Sequence, residues 1–130
     1  MLEILPESEN EFLAVRAAGR LTGADYEKVL PRFDAALERH PKLEVLVLMD
    51  DDFSGWALNA AWDDLTYGLR NRRRFDRVAV AGGPAWMSWC MSAFQLLFPG
   101  EMRSYPMSEA DEARRWVKQG GPTDHGLPAS

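Results

Sequence analysis

One cysteine and two histidines are all that 130 residues supply of the side chains that most often bind metals or act as nucleophile and base. A lone cysteine excludes a disulfide framework and fits a reducing compartment. Cys90 lies among apolar residues, with no cation or histidine in its own predicted helix, and reads as a small hydrophobe. His40 falls at a predicted helix end and His125 in the C-terminal tail, poorly placed to share a site. No G-x-x-x-x-G-K-[ST] or G-x-G-x-x-G loop is present, since Gly82-Gly83-Pro84 is a strand-to-helix turn. Positive charge is also short. Fifteen Lys and Arg stand against 20 Asp and Glu, a formal net charge of −5, which argues against a general nucleic-acid partner. The first residues, M-L-E-I-L-P-E-S-E, carry acids where a secretory leader needs basic residues and a long apolar run, so a cytoplasmic protein is expected. No enzyme, cofactor or bound metal is expected.

Charge is missing from one place altogether. Between Arg77 and Glu101 run 23 residues without a charged side chain, in a chain that is 27% charged. Gly82, Gly83 and Pro84 divide this run into a short strand and a helix over Ala85–Phe98. At ~1.5 Å per residue that helix reaches roughly 21 Å, short of a ~30 Å hydrocarbon layer, so it is not a span. On a helix, Trp86, Cys90, Ala93 and Leu97 share one stripe and Met87, Met91, Phe94 and Phe98 another, with Trp89 extending the apolar surface. One sheet face covers only part of that circumference. The rest faces a neighbouring helix, a second subunit, an apolar ligand or a membrane surface.

With 46% apolar residues the chain reads as one globular domain over 1–119, followed by a flexible tail over 120–130. Leu2–Leu5 and Phe12–Leu21 read as strands. Thr22 and Asp25 have capping-box spacing and open a helix whose apolar stripe is Tyr26, Val29, Leu30, Phe33 and Leu37. Pro31 is expected to kink or split it. Leu43–Met49 (L-E-V-L-V-L-M) is the clearest strand, of the kind covered on both faces. After Asp50-Asp51-Asp52 a second helix is predicted from about Ser54 to Arg73, with Leu58, Ala61, Trp62, Leu65 and Leu69 buried. Strands over Arg77–Ala81 and Met102–Tyr105 follow, and Ser108 with Asp111 suggests a second capping box for a last helix. The order is ββαβαβαβα, an α/β fold with a five-stranded, mostly parallel sheet, four helices and an antiparallel first pair.

This order, with the strings G-R-L-T-G-A-D-Y, D-D-F-S-G-W, A-W-D-D-L, F-D-R-V-A-V-A-G and E-A-R-R-W, resembles the SpoIIAA-like branch of the STAS superfamily over residues 2 to about 118. The resemblance implies a small domain without known catalysis. Wider relatives include anti-sigma-factor antagonists and cytoplasmic domains of anion transporters. The branch is also similar to lipid-carrying CRAL-TRIO domains, which implies contact with a hydrophobic ligand or a membrane. Ser54-Gly55 matches the place where the antagonists carry a phosphorylatable serine at a helix start. It departs from their D-S-S-G-type strings, because Asp52 and Phe53 stand ahead of it.

Two functional readings result. In the first, a non-enzymatic module binds a hydrophobic small molecule or lipid between the second and third helices. Its pocket is walled by Phe53, Trp56, Trp86, Met87 and Trp89, with Asp50 and Ser54 at the mouth. Arg72, Arg73 and Arg74 then meet anionic headgroups, although a solvated helix end, its cations stabilised by the helix dipole, is the favoured reading of that run. In the second, the domain is a partner-switching regulator controlled by phosphorylation of Ser54, with a protein partner or a homodimer as its target. Three adjacent carboxylates at Asp50–Asp52 could attract a cation, but no spaced ligand pattern completes a cage, and helix capping accounts for them.

Overall fold

A computed structural model of the chain describes residues 1–57, 66–67, 70–71, 74–83, 92 and 101–118. Its main sheet contains β1 (Leu2–Ile4), β2 (Phe12–Ala17), β4 (Leu43–Met49), β6 (Phe75–Gly82) and β7 (Glu101–Tyr105), in the spatial order β1-β2-β4-β6-β7. The remaining strands, β3 (Arg20–Leu21) and β5 (Gly55–Trp56), form a separate parallel pair. β1 runs antiparallel to β2, and every other neighbour in the main sheet is parallel.

Period-2 side-chain alternation divides the core into two sides. Leu13, Val45, Ala17, Met49 and Val80 belong to one side, under α1 (Gly23–Arg39), which contributes Tyr26 and Ala36. Phe12, Ala14, Leu46, Ala79 and Ala81 belong to the other, under Ala113, Trp116 and Val117 of α2 (Ala110–Lys118). Both faces of β2 and β4 are therefore covered, which is why their sequences are nearly continuous in apolar residues.

Several expectations need correction. The strand expected over Phe12–Leu21 breaks at Ala18 and Gly19, where Gly19 has a φ of 62° and turns the chain out of the main sheet. The helix expected from Ser54 begins later, because Gly55 and Trp56 pair with Arg20 and Leu21 as strands. Gly55, with a φ of 121°, cannot belong to a helix. Pro31 does not split α1. It faces solvent, as does Glu27 one turn earlier, so the carbonyl that loses its backbone donor can be hydrated while Tyr26, Val29 and Ala36 hold the buried face. The capping box at Thr22 and Asp25 forms. The one expected at Ser108 does not: a 3-10 turn over Met107–Glu109 leads into α2, and Asp111 accepts a hydrogen bond from Arg114. Of the four expected helices, the first and last are in place. The second and third lie largely outside the described residues, where Thr66, Tyr67, Arg70 and Ser92 are helical.

Arg74 shows how the second crossover is tied down. Its guanidinium donates to the carbonyls of Leu37 (2.6 Å), His40 (3.0 Å) and Pro41 (2.6 Å), gathering acceptors that the end of α1 leaves open. Arg74→Met is expected to cost roughly 1–3 kcal/mol in urea unfolding, with Arg74→Lys recovering only part, since one ammonium cannot reproduce the planar fork.

Candidate functional site at the carboxyl end of the sheet

Four parallel strands, β2, β4, β6 and β7, deliver their carboxyl ends to one rim. β4 ends at Met49, and Asp50 then donates its N–H to the Ala17 carbonyl (2.9 Å) at the end of β2. The Phe53 N–H donates to the Asp50 carbonyl (3.0 Å), closing a tight turn that leaves Asp51 and Asp52 exposed. Phe53 itself is buried among Ala17, Leu21, Tyr26, Met49 and Val80. Ser54 is exposed again, while its N–H donates to the Gly19 carbonyl (2.9 Å), and the Ala57 N–H donates to Leu21 (2.7 Å). The turn is thus anchored on both sides, with Ser54 held outward between two buried residues, Phe53 and Gly55.

Electrostatics organises the rim further. Arg16, at the carboxyl end of β2, donates from Nε to Asp50 Oδ1 (2.9 Å) and from Nη2 to Asp50 Oδ2, and lies 3.6 Å from Glu3. This two-pronged bond is the main reason that Asp50 is held below the usual carboxylate range and Arg16 above its own. Asp52 accepts from the Gly19 N–H (3.2 Å). Asp25 is likewise lowered, chiefly by the Thr22 N–H. Because both aspartates have depressed folded pKa values, their stabilising contribution is complete above the ordinary Asp value of about 4 and is lost as pH falls through the lower folded values. Urea midpoints should be level from pH 7 to about pH 5 and fall below about pH 4. Asp50→Asn should flatten that fall while lowering the midpoint at pH 7.

Beside the turn lies an open cleft of about 380 Å³ lined by Asp50, Asp51, Asp52 and Met107. Met107 follows β7 and is one of the exposed large hydrophobic residues. Gly82, at the end of β6 with a φ of 86°, lies beneath it: a Cβ there would stand 2.5 Å from the Met49 carbonyl oxygen and 2.7 Å from Met107 Cε. Among the described residues, no group of three or more His, Cys, Asp and Glu converges as a metal site.

The expected site residues distribute unevenly. Asp50 and Ser54 come to this rim. Phe53 packs into the core, in edge-to-face contact with Trp56 at 5.1 Å. Trp56 is half-buried, and its Nε1–H donates to the Tyr26 hydroxyl (2.9 Å). Arg74 sits at the end of α1, as described above. Trp86, Met87, Trp89, Arg72 and Arg73 lie outside the described residues. Sequence reasoning missed Arg16 and Met107. A charge inside the apolar string F-L-A-V-R-A was a signal for Arg16, since a cation in a covered strand needs a partner at its end. Met107 had no such signal.

A mixed five-stranded sheet with a helix on each face, and with its exposed polar turn at the carboxyl ends of the parallel strands, defines an α/β domain of the SpoIIAA type. The SpoIIAA-like family profile matches residues 12–118, and the chain belongs to that family. It is also similar to an uncharacterized protein of the DUF3478 family with a SpoIIAA-like fold from Shewanella loihica PV-4. That protein is 31% identical, with a TM-score of 0.75 over 89% of this chain and 93% of the other. No curated protein matches the sequence. Among the described residues, no helix is long and apolar enough to cross a membrane.

Proposed function

We propose that the protein is a non-catalytic binding module that engages a protein partner through the carboxyl-end rim, with the charge state of Ser54 setting the affinity. The observation that carries this reading is the exposed Ser54 hydroxyl, fixed between buried Phe53 and buried Gly55 on a turn whose backbone is tied to β2 and β3. A rigid exposed turn presents the same surface to every partner molecule, at little ordering cost. Asp51 and Asp52 favour a partner carrying basic side chains and disfavour anionic headgroups at this rim. Ser54 precedes a strand, its own N–H is already bonded, and carboxylates stand nearby. A phosphate added there gains no helix N-terminus to rest on, and it acts by altering the rim's charge toward the partner.

The test places a photo-crosslinking residue at Asp51 in cells, with Glu38 on the solvent side of α1 as the control position. The expected result is a discrete protein adduct from position 51, absent from position 38 and reduced several-fold by Ser54→Asp. No adduct from position 51, or one indifferent to Ser54→Asp, would refute the reading.

A carrier of a hydrophobic molecule is the second reading, favoured by the uncharged run between Arg77 and Glu101. Mass spectrometry of the purified protein under native and denaturing conditions distinguishes it. A reproducible noncovalent adduct lost on denaturation supports the carrier, and a bare chain in both states removes it.

A further inference from the structure

The main sheet ends at β7, and among the described residues no strand pairs with its outer side. An open edge is a template for another strand, and proteins commonly blunt it with charged side chains, which repel a second copy only where like charges meet. β7 carries opposite charges two residues apart, Glu101 and Arg103, both exposed, on either side of Met102. We infer that β7 pairs antiparallel with β7 of a second copy of this chain, about a twofold axis at Met102, forming a continuous ten-stranded sheet.

The register follows from the charges. With Met102 opposite Met102 of the second copy, Glu101 of each chain lies directly opposite Arg103 of the other, giving two symmetric ion pairs. A shift that centres the axis on Arg103 sets two guanidiniums against each other. In-register parallel pairing sets like against like at both positions. The antiparallel arrangement at Met102 therefore places all four charges in opposite pairs.

Both side chains are positioned for this. Strand register places Glu101 and Arg103 opposite Arg77 and Ala79 of β6, on the face covered by Trp116. The Arg103 guanidinium lies 4.7 Å from the Trp116 ring centre, which holds it along the sheet face beside the edge. Glu101 is more than half exposed, 4.0 Å from Arg77, and can take a second cation. On the opposite face, half-buried Met102 packs against the α1-side core, and its twofold mate extends that apolar surface across the seam. Five residues per strand make a small interface, so the dimer is weak and concentration-dependent.

Sedimentation velocity on the full chain, from about 10 μM to about 1 mM, reads the association. Circular dichroism confirms that each variant is folded. The wild-type chain is expected to shift from monomer to dimer across this range and to dissociate with added salt. Glu101→Arg and Arg103→Glu should each abolish the shift. An equimolar mixture of the two variants should restore it, because each mixed pair again sets opposite charges together. Hydrogen exchange at residues 101–105 should slow with concentration in the wild-type chain alone. A monomer throughout the range overturns the inference, as does a dimer that survives Glu101→Arg. If Arg103→Glu does not fold, because it loses its contact with Trp116, the Glu101→Arg result and the exchange data still decide.

Discussion

Replacing Trp116 by alanine is expected to cost roughly 3–5 kcal/mol, as for large buried aromatics generally. Trp116 is 9% exposed and fills the centre of the second core face with Ala113 and Val117, over Ala79 and Ala81. Those alanines are too small to reach into the space left behind. The guanidiniums of Arg77 and Arg103 lie 4.9 Å and 4.7 Å from the indole, and the ring also meets Tyr105 at 6.4 Å. Each cation loses a π-face worth about 0.5–2 kcal/mol. Trp116→Leu should therefore lie between the two, recovering apolar volume but no cation–π attraction. Guanidinium unfolding with two-state analysis measures the series. A loss under about 1 kcal/mol for Trp116→Ala would mean that α2 is peripheral to the fold rather than the cover of its second face.

Gly82→Ala should cost roughly 2–4 kcal/mol, combining a left-handed backbone that alanine resists with direct overlap. The overlap at the Met49 carbonyl is the decisive part, because that atom belongs to the neighbouring strand and cannot rotate away. Met107 Cε is the end of a flexible chain and can move. Adding Met107→Ala to Gly82→Ala should thus recover only a small part of the loss. If the second change restored most of the stability, side-chain crowding would be the cause and the backbone argument would fail. Either way Gly82 links stability to the rim, since a methyl group beneath Met107 displaces one wall of the cleft.

The sequence pattern made the main sheet legible because its signals are local. Leu43–Met49 has no polar gap beyond Glu44, and the spacing of Thr22 and Asp25 sets the start of α1 within a residue. The β3–β5 pair was not legible. Each strand is two residues long, too short for any alternation, and the pairing joins segments 35 positions apart through backbone bonds that carry no side-chain signature. That missed pair displaced the reading of Ser54, since D-D-F-S-G-W looks like the approach to a helix until Gly55 is seen at a φ of 121°. Phe53 and Trp56 were legible as large apolar residues near the rim. Burial and the bond to Tyr26 depend on where α1 passes, and no spacing within residues 50–57 encodes that.

The spatial order β1-β2-β4-β6-β7 follows the order of synthesis, and this gives the domain a direction of growth. Every strand of the main sheet finds its neighbour already made, so the sheet can be laid down outward from β2 without inserting a late strand between two early ones. The two faces finish at different times. α1 arrives before β4 and shields its face early, whereas Phe12, Ala14 and Leu46 wait for α2, near the end of the domain. Among the described residues, a nascent chain halted before residue 110 therefore lacks the cover that Ala113, Trp116 and Val117 give Phe12, Ala14 and Leu46, and the last nine-residue helix hides that surface from other chains.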